Sequence, residues 1–376
     1  MTNDFSFDTP SEHLKAVLNL PCPSCGAKMS YSAEKRKIAC TYCGYTEDVS
    51  VANDQVIEAA LSRAMEAATD YSPEQIGQKV FSCASCGSKA MIPADKVKID
   101  CPFCASPNLN LEAYQHKYIQ PVGIVPFKVP KKQGAELFQK WIKKGWFHPN
   151  ALRSRASLGE LRGIYVPFWT YDAQTDNTYS GQAGHYYYVS QTVMIDGKPQ
   201  VQQVQKIRWE YRSGSFSHFF DDVLVVASKG IQQKQMKAIQ PFNTRECINY
   251  DPRLIVGWEA EVYSIDPMEG YHTAEQEMDS FLYAAACQYV GGDTQRDVQV
   301  NGQKYNQTFK HVILPVWICS YVFNGKVYQF AINGQTGRVG GDKPLSWVKI
   351  VLTVLLVLLL IGTLVYLRES GVLQGN

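Results

Sequence analysis

Two stretches of this chain carry cysteines at a spacing that only a metal centre readily explains. Cys22, Cys25, Cys40 and Cys43 follow C-x2-C-x14-C-x2-C, and Cys83, Cys86, Cys101 and Cys104 repeat it 61 residues later. The repeat extends beyond sulfur: Gly26 and Gly87, Lys28 and Lys89, Ala33 and Ala94, Lys35 and Lys96, and Ile38 and Ile99 coincide. Each C-x2-C turn aims two thiolates at one ion, and two such turns on facing hairpins complete a tetrahedron. Glycine after Cys25, Cys43 and Cys86 permits the tight turn beneath the sulfurs, and Ala105 replaces it in the fourth knuckle. The pattern predicts two tandem four-cysteine zinc ribbons, residues 21–46 and 81–110, with the eight cysteines holding two structural zinc ions. Rubredoxin-type iron uses similar knuckles, and colour would expose it. A catalytic zinc needs an open position, whereas four cysteines close the shell. Ribbons this small bury little apolar surface, so metal binding is expected to supply most of their folding energy.

The far end of the chain has the opposite character. Ile350 to Leu367 runs 18 residues without a charge, eight of them leucine. As a helix this stretch spans about 27 Å, close to the hydrocarbon thickness of a bilayer. Trp347 and Tyr366 sit at its edges and Lys349 can snorkel to a headgroup. A transmembrane helix is therefore expected at 346–367. Arg338, Lys343 and Lys349 precede it, whereas Arg368 follows beside Glu369. Positive-inside logic places the bulk of the chain in the cytoplasm and 368–376 as a short non-cytoplasmic tail. Residues 1–20 read as an acidic and polar N-terminal tail without signal-peptide character. The expectation is a single-pass, tail-anchored protein of the cell membrane, with the lipid bilayer as a partner. A reducing cytoplasm disfavours disulfides.

Between the cysteine sets, residues 47–80 read as a helical connector. Val56, Ile57, Ala60, Leu61, Ala64 and Met65 recur at helical spacing, and Asp54 can cap the start. Acids outnumber bases seven to two from residue 45 to 80, which argues against the whole module lying on phosphate. The net charge of the chain is only +2, against the larger basic excess of proteins that coat nucleic acid.

Residues 117–343 are expected to form a β-rich α+β domain with antiparallel sheet. Its first part is basic, and Leu137, Phe138, Trp141 and Ile142 form an apolar stripe with Lys140, Lys143 and Lys144 off it. Such a helix either rests these three lysines on anionic lipid or packs its stripe on its own core and leaves them solvated. Gly163 to Tyr171 reads as a strand, with tyrosine-rich alternation through Tyr188. Asp196-Gly197 and Asn324-Gly325 are hairpin signals. A helix is expected from Thr273 to about Tyr289, with Met278, Phe281, Leu282 and Ala285 inward and Gly291 as the stop. Pro167-Phe168-Trp169 and Pro315-Val316-Trp317 hint at a loosely duplicated strand unit.

Catalytic signatures are missing. Gly197-Lys198 and Gly325-Lys326 are followed by Pro199 and Val327, so no phosphate-binding loop forms. No H-E-x-x-H, G-x-S-x-G or G-x-G-x-x-G occurs. His218 near Asp221 and Asp222 is the one acid–histidine grouping, read as a surface or satisfied histidine. Cys247, Cys287 and Cys319 read as buried small hydrophobes. No catalytic residue is assigned, and a non-enzyme is expected.

The paired Cys-x2-Cys-Gly units, followed by Pro121-Val-Gly-Ile-Val-Pro-Phe127, Gly163-Ile-Tyr-Val-Pro-Phe-Trp-Thr-Tyr171, Leu314-Pro-Val-Trp317 and Ile332-Asn-Gly-Gln-Thr-Gly-Arg-Val339, resemble a bacterial family of zinc-ribbon membrane-associated proteins. The resemblance spans roughly residues 20 to 345. Members are often labelled transcription-factor-B-type zinc ribbons or primosomal-helicase-like, and the helicase label has no nucleotide-binding motif behind it here. Some are encoded beside phage-shock protein A or flotillin-like proteins. The resemblance implies an adaptor that recruits or scaffolds such cytoplasmic proteins at the membrane, in a membrane-stress response. A membrane tether that binds DNA or RNA through the ribbons is the alternative.

Overall fold

The computed structural model describes residues 20–49, 56, 58–64, 69–71, 78–93, 100–104, 106–111, 116–144, 147, 161–195, 198–231, 233–323, 326–342 and 345–369. Strands β1 (Met29–Ser32), β2 (Lys37–Cys40) and β3 (Thr46–Glu47) form a small sheet beside the first cysteine set. After β4 (Ala59–Ala60) and β5 (Thr69–Tyr71), the second set lies among β6 (Gln78–Cys83), β7 (Lys89–Pro93) and β8 (Leu109–Leu111). Then follow β9 (His116–Tyr118), which pairs with β5, β10 (Gly123–Ile124) and helix α1 (Lys131–Lys143). The long strands β11 (Arg162–Ile195) and β12 (Lys198–Val226) lead to α2 (Gln233–Ile239), β13 (Ile248–Asn249), β14 (Glu259–Val262) and α3 (Pro267–Val290). β15 (Thr294–Phe323), β16 (Lys326–Asn333) and β17 (Val339–Gly341) run into helix α4 (Trp347–Glu369). The class is α+β, with mixed sheets and helices.

β11 and β15 form the spine, antiparallel from the Arg162–Ile318 pair to Gly184–Thr294. The two Pro-aromatic runs lie opposite each other, Tyr165 against Pro315 and Pro167 against Ile313. At this end both edges are occupied: β14 joins β11 in parallel at Ile164 and Tyr165, and β10 joins β15 at Val312 and Ile313. Ile164, Val166, Phe168, Trp169, Val312, Leu314 and Val316 are all buried. Continuous apolar runs of this kind are what a sheet covered on both faces requires.

Farther along, the sheet narrows to β12, β11 and β15 with α3 across one face. Asp266 caps α3 by accepting from the N–H groups of Met268 and Glu269, and Pro267 fits the first turn, where no N–H is needed. Gly291, at φ 69°, supplies the left-handed stop. Tyr171 Oη donates to the Pro267 carbonyl (2.6 Å) and Trp169 Nε1 to that of Ile265 (2.9 Å), pinning the helix start to the sheet. The inner row is Ala274, Met278, Leu282, Ala286 and Val290. Phe281, expected inward, is 49% exposed and leans on His218 and Phe220. The i, i+4 row through Met278 continues at Ala286, which leaves Phe281 and Ala285 off the inner row.

Past Gly184 and Thr294, β11 and β12 continue as a bare two-stranded arm, from the His185–Arg208 pair to Ile195–Lys198. At about 3.3 Å per residue the arm is about 35 Å long. Pairing of Ile195 with Lys198 and of Phe323 with Lys326 matches the hairpins expected at Asp196-Gly197 and Asn324-Gly325. Those four turn residues lie outside the described residues.

The connector departs from expectation. Where the periodicity predicts a helix from Val56 to Met65, Ala59–Ala60 is a strand against Phe309 and Thr308, followed by a 3-10 turn at Leu61–Arg63. Long-range contacts override the local preference here. Leu61 and Ala64 are buried against the cluster of Ile119, Trp169 and Phe309, and Glu58 is drawn to Lys310. Ile57, Met65 and residues 1–19 of the N-terminal tail lie outside the described residues.

Candidate metal centres

Each cysteine pair sits on a turn closed by backbone hydrogen bonds. In the first set, Gly26 N donates to Cys22 O (2.8 Å) and Gly44 N to Cys40 O (3.1 Å). Both glycines have positive φ, 74° and 78°, where a Cβ would strain the backbone. In the second set, Gly87 N donates to Cys83 O (2.8 Å), with φ 75°. Ala105, the departure in the fourth knuckle, lies outside the described residues.

The four thiols of each set converge. Cys22 and Cys43 sulfurs are 3.4 Å apart and those of Cys25 and Cys40 3.6 Å. Cys83–Cys104 and Cys86–Cys101 are both 3.6 Å. Within each set all four sulfurs lie within 4.8 Å of one another. A tetrahedron with metal–sulfur bonds of about 2.3 Å has sulfur–sulfur edges of about 3.8 Å. The donor sets therefore match a closed four-thiolate metal centre, and two metal ions fit the chain.

The two centres differ in their surroundings. Cys25 and Cys43 of the first are exposed. A hydrogen bond from the Ala27 N–H works to lower Cys25, but desolvation and bonds with Cys43, Cys40 and Cys22 outweigh it and raise that thiol to about 12. A hydrogen bond from the Tyr45 N–H instead lowers Cys43 to about 6. In the second, hydrogen bonding with Cys86 together with burial raises Cys101 to about 12, and burial does the same for Cys104. The fully buried Ser88 places its hydroxyl 3.2 Å from Cys86 Sγ and 3.4 Å from Cys101 Sγ, which binds this centre to its neighbours.

Their attachment differs as well. β7 pairs with β14, Met91 opposite Ala260, and so stitches the second centre into the large sheet. Cys83, Cys101 and Phe103 belong to the same buried cluster as Ile164, Val166 and Phe168. The first centre keeps its own sheet and a small core of Cys22, Met29, Ile38 and Cys40. It meets the large domain through Ala33 and Val49, which pack in the main core, an ion pair of Glu47 with Arg253 (3.7 Å), and above all Tyr31, whose hydroxyl donates to Phe127 O (3.2 Å) while Trp258 Nε1 donates to Tyr31 O (3.0 Å).

A third convergence was not visible in the sequence. Glu58, Asp172 and Asp222 bring carboxylates together from three distant segments. Lys310 already fills the position a cation would take: its Nζ is 2.7 Å from Glu58 and 2.6 Å from Asp222. Burial works to raise Glu58, but hydrogen bonds from Asp172, Lys310 and Thr308 outweigh it and hold the group at about 2. Asp172 goes the other way, raised to about 7 by burial and then by its bond to Glu58. The arrangement is an internal ion pair that ties the connector to the sheet. His218, read from the sequence as a surface or satisfied histidine, sets its ring edge-on to Phe220 and tilted against Phe281, and no ion pair joins it to Asp221 or Asp222. Burial raises Cys247 and Cys319 to about 12, in keeping with inert thiols.

α1 buries Phe138 and Ile142, and Phe138 stacks on Phe330 at 3.8 Å. Leu137 and Trp141 pack partly against the same cluster. Lys140, Lys143 and Lys144 are exposed. Trp347–Leu367 of α4 is long and apolar enough to cross a membrane, and none of it is buried.

No family model matches the chain. It is similar to a Bacillus subtilis protein printed as "Uncharacterized protein YdjG", 24% identical over 336 residues, which covers 88% of this chain and 91% of that one. No solved structure matches.

Proposed function

We propose that the chain is a membrane-anchored, non-enzymatic adaptor whose two four-cysteine centres are structural zinc ribbons. In this reading α4 spans the cell membrane with the bulk of the chain in the cytoplasm, and the large sheet presents a protein-binding surface. The observation that carries it is the bare β11–β12 arm on the same chain as the apolar helix α4. The arm exposes Tyr186, Tyr187, Tyr188, Met194, Val201 and Ile207. A two-stranded hairpin is marginal by itself in water, and clustered exposed apolar side chains mark interaction surfaces. The partners are cytoplasmic proteins of a membrane-stress response, with phage-shock protein A or flotillin-like proteins named by the family resemblance.

Native co-purification tests this. The full-length protein is extracted from its own membranes in mild detergent, with and without nuclease. A nuclease-resistant protein partner, lost on replacing Tyr186, Tyr187 and Tyr188 by serine, supports the adaptor. Retained nucleic acid, with partners that vanish after nuclease, refutes it in favour of a DNA or RNA tether.

A further inference from the structure

The basic helix and the apolar helix meet. Ser346 N, one residue before α4, donates to the carbonyl of Phe147 at 2.7 Å. Phe147 lies four residues past the end of α1, and extended chain spans at most about 14 Å over that length. Lys143 is therefore held close to the start of the apolar helix, and Lys140 lies one turn, about 5 Å, farther along. The apolar stripe of α1 is committed to the core through Phe138 and Ile142, so this helix cannot sink into lipid. Its opposite face carries Lys132, Lys140 and Lys143, exposed and with no salt bridge to a described residue, around the single exposed acid Glu136, which leaves a net positive face. Around the junction, Phe147 (40%), Leu345 (64%) and Trp347 (74%) expose apolar and aromatic surface.

We infer that this junction is a lipid-binding collar: Phe147, Leu345 and Trp347 seat at the bilayer interface while Lys140 and Lys143 bind anionic phospholipid headgroups. The partner is a bilayer carrying negative charge, argued from charge complementarity and from covalent continuity with the span. An ammonium acts on a charged surface only within a Debye length, about 8 Å at physiological salt. The tether through Ser346 keeps Lys143 within about 14 Å of Phe147, so the lysines start close to the surface without any further binding energy. The collar gives α1 an orienting role: it fixes how the rigid sheet, and the arm it carries, stands on the membrane. The inference rests on α4 spanning the bilayer.

The test uses the full-length protein in nanodiscs of phosphatidylcholine alone or mixed with phosphatidylglycerol, with a water-soluble lysine-acylating reagent read by mass spectrometry. Each lysine engaged at an anionic surface is worth about fivefold. Lys140 and Lys143 should therefore label about fivefold or more slowly in the phosphatidylglycerol discs, and high salt should restore the rate. Lys198 and Lys206 on the distal arm should not change. Equal labelling of Lys140 and Lys143 in both lipids, with the protein resisting alkaline carbonate extraction, overturns the collar and leaves the anchor standing. Protein released by carbonate overturns the anchor, and the collar with it.

Discussion

Losing one metal centre should have very different consequences from losing the other. Consider Cys40→Ser and Cys101→Ser, equivalent changes at equivalent ligand positions. Either removes one thiolate from a closed shell, and the local fold held by that metal goes with it. What the rest of the protein loses differs. Opening the first centre frees Tyr31, with its hydrogen bond to Phe127 and the one it accepts from Trp258. One buried aromatic side chain is worth about 2–3 kcal/mol, which for a domain of this size lowers the melting temperature by roughly 5–10 °C. Opening the second withdraws Phe103, Val80 and Met91 from two core clusters and unpairs β7 from β14. At about 1.5–3 kcal/mol for each side chain the loss is about 5–9 kcal/mol, comparable to the whole stability of a typical domain. Metal content by mass spectrometry should fall by one ion in each variant. Hydrogen exchange should show the strands β11 and β14 still protected in Cys40→Ser and unprotected in Cys101→Ser. Protection of β14 surviving in Cys101→Ser, or lost in Cys40→Ser, would refute the reasoning.

Three further outcomes follow from the interior. Lys310→Met leaves Glu58, Asp172 and Asp222 without their counter-charge and should cost about 3–5 kcal/mol in denaturant unfolding, much of it recovered when Glu58→Gln and Asp222→Asn are added. Asp172, raised from 3.8 to about 7, favours the folded state while protonated; its contribution is full below about pH 4 and lost as pH rises through about 7. Glu58, lowered to about 2, contributes above its ordinary range and loses that contribution only as pH falls through about 2. Denaturant midpoints should accordingly drop between about pH 4 and pH 7, and Asp172→Asn should flatten that drop. Gly270→Ala would place a Cβ 2.8 Å from Trp169 Cδ1 and against the Tyr171 hydroxyl, so α3 must lift from the sheet. The expected loss is about 1–3 kcal/mol, read by thermal melting, and a neutral result would show that the helix start is not seated as described.

The residues that announced themselves in the sequence are those whose partners are close in the chain or whose chemistry permits one use. Cysteine pairs three positions apart, glycines beneath them, Asp-Gly between alternating runs and an uninterrupted apolar stretch each constrain structure within some twenty residues. The two cysteine sets, the hairpins and the apolar helix were legible for that reason, as was the Gly291 stop of the later helix, although that helix starts at Pro267 behind the Asp266 cap rather than at Thr273. The connector was misread because its helical periodicity is real, yet Leu61 and Ala64 are buried against β15 and Trp169, far away in sequence. Phe281 was misplaced because periodicity names a stripe without saying where the sheet lies beneath it.

Tertiary structure alone decided the rest. Glu58 finds Lys310 across 252 positions, and no local pattern marks either residue as buried charge. The two cysteine repeats are near-copies in sequence, but only pairing of β7 with β14 makes one part of the main core and leaves the other at its side. The nearness of the α1 lysines to the apolar helix depends on one hydrogen bond between Phe147 and Ser346. Metal geometry and apolar length are properties of short segments, and sequence determines them. Which segments share a core, and which charges share a site, depends on pairings between distant strands, and those exist only once the chain has folded.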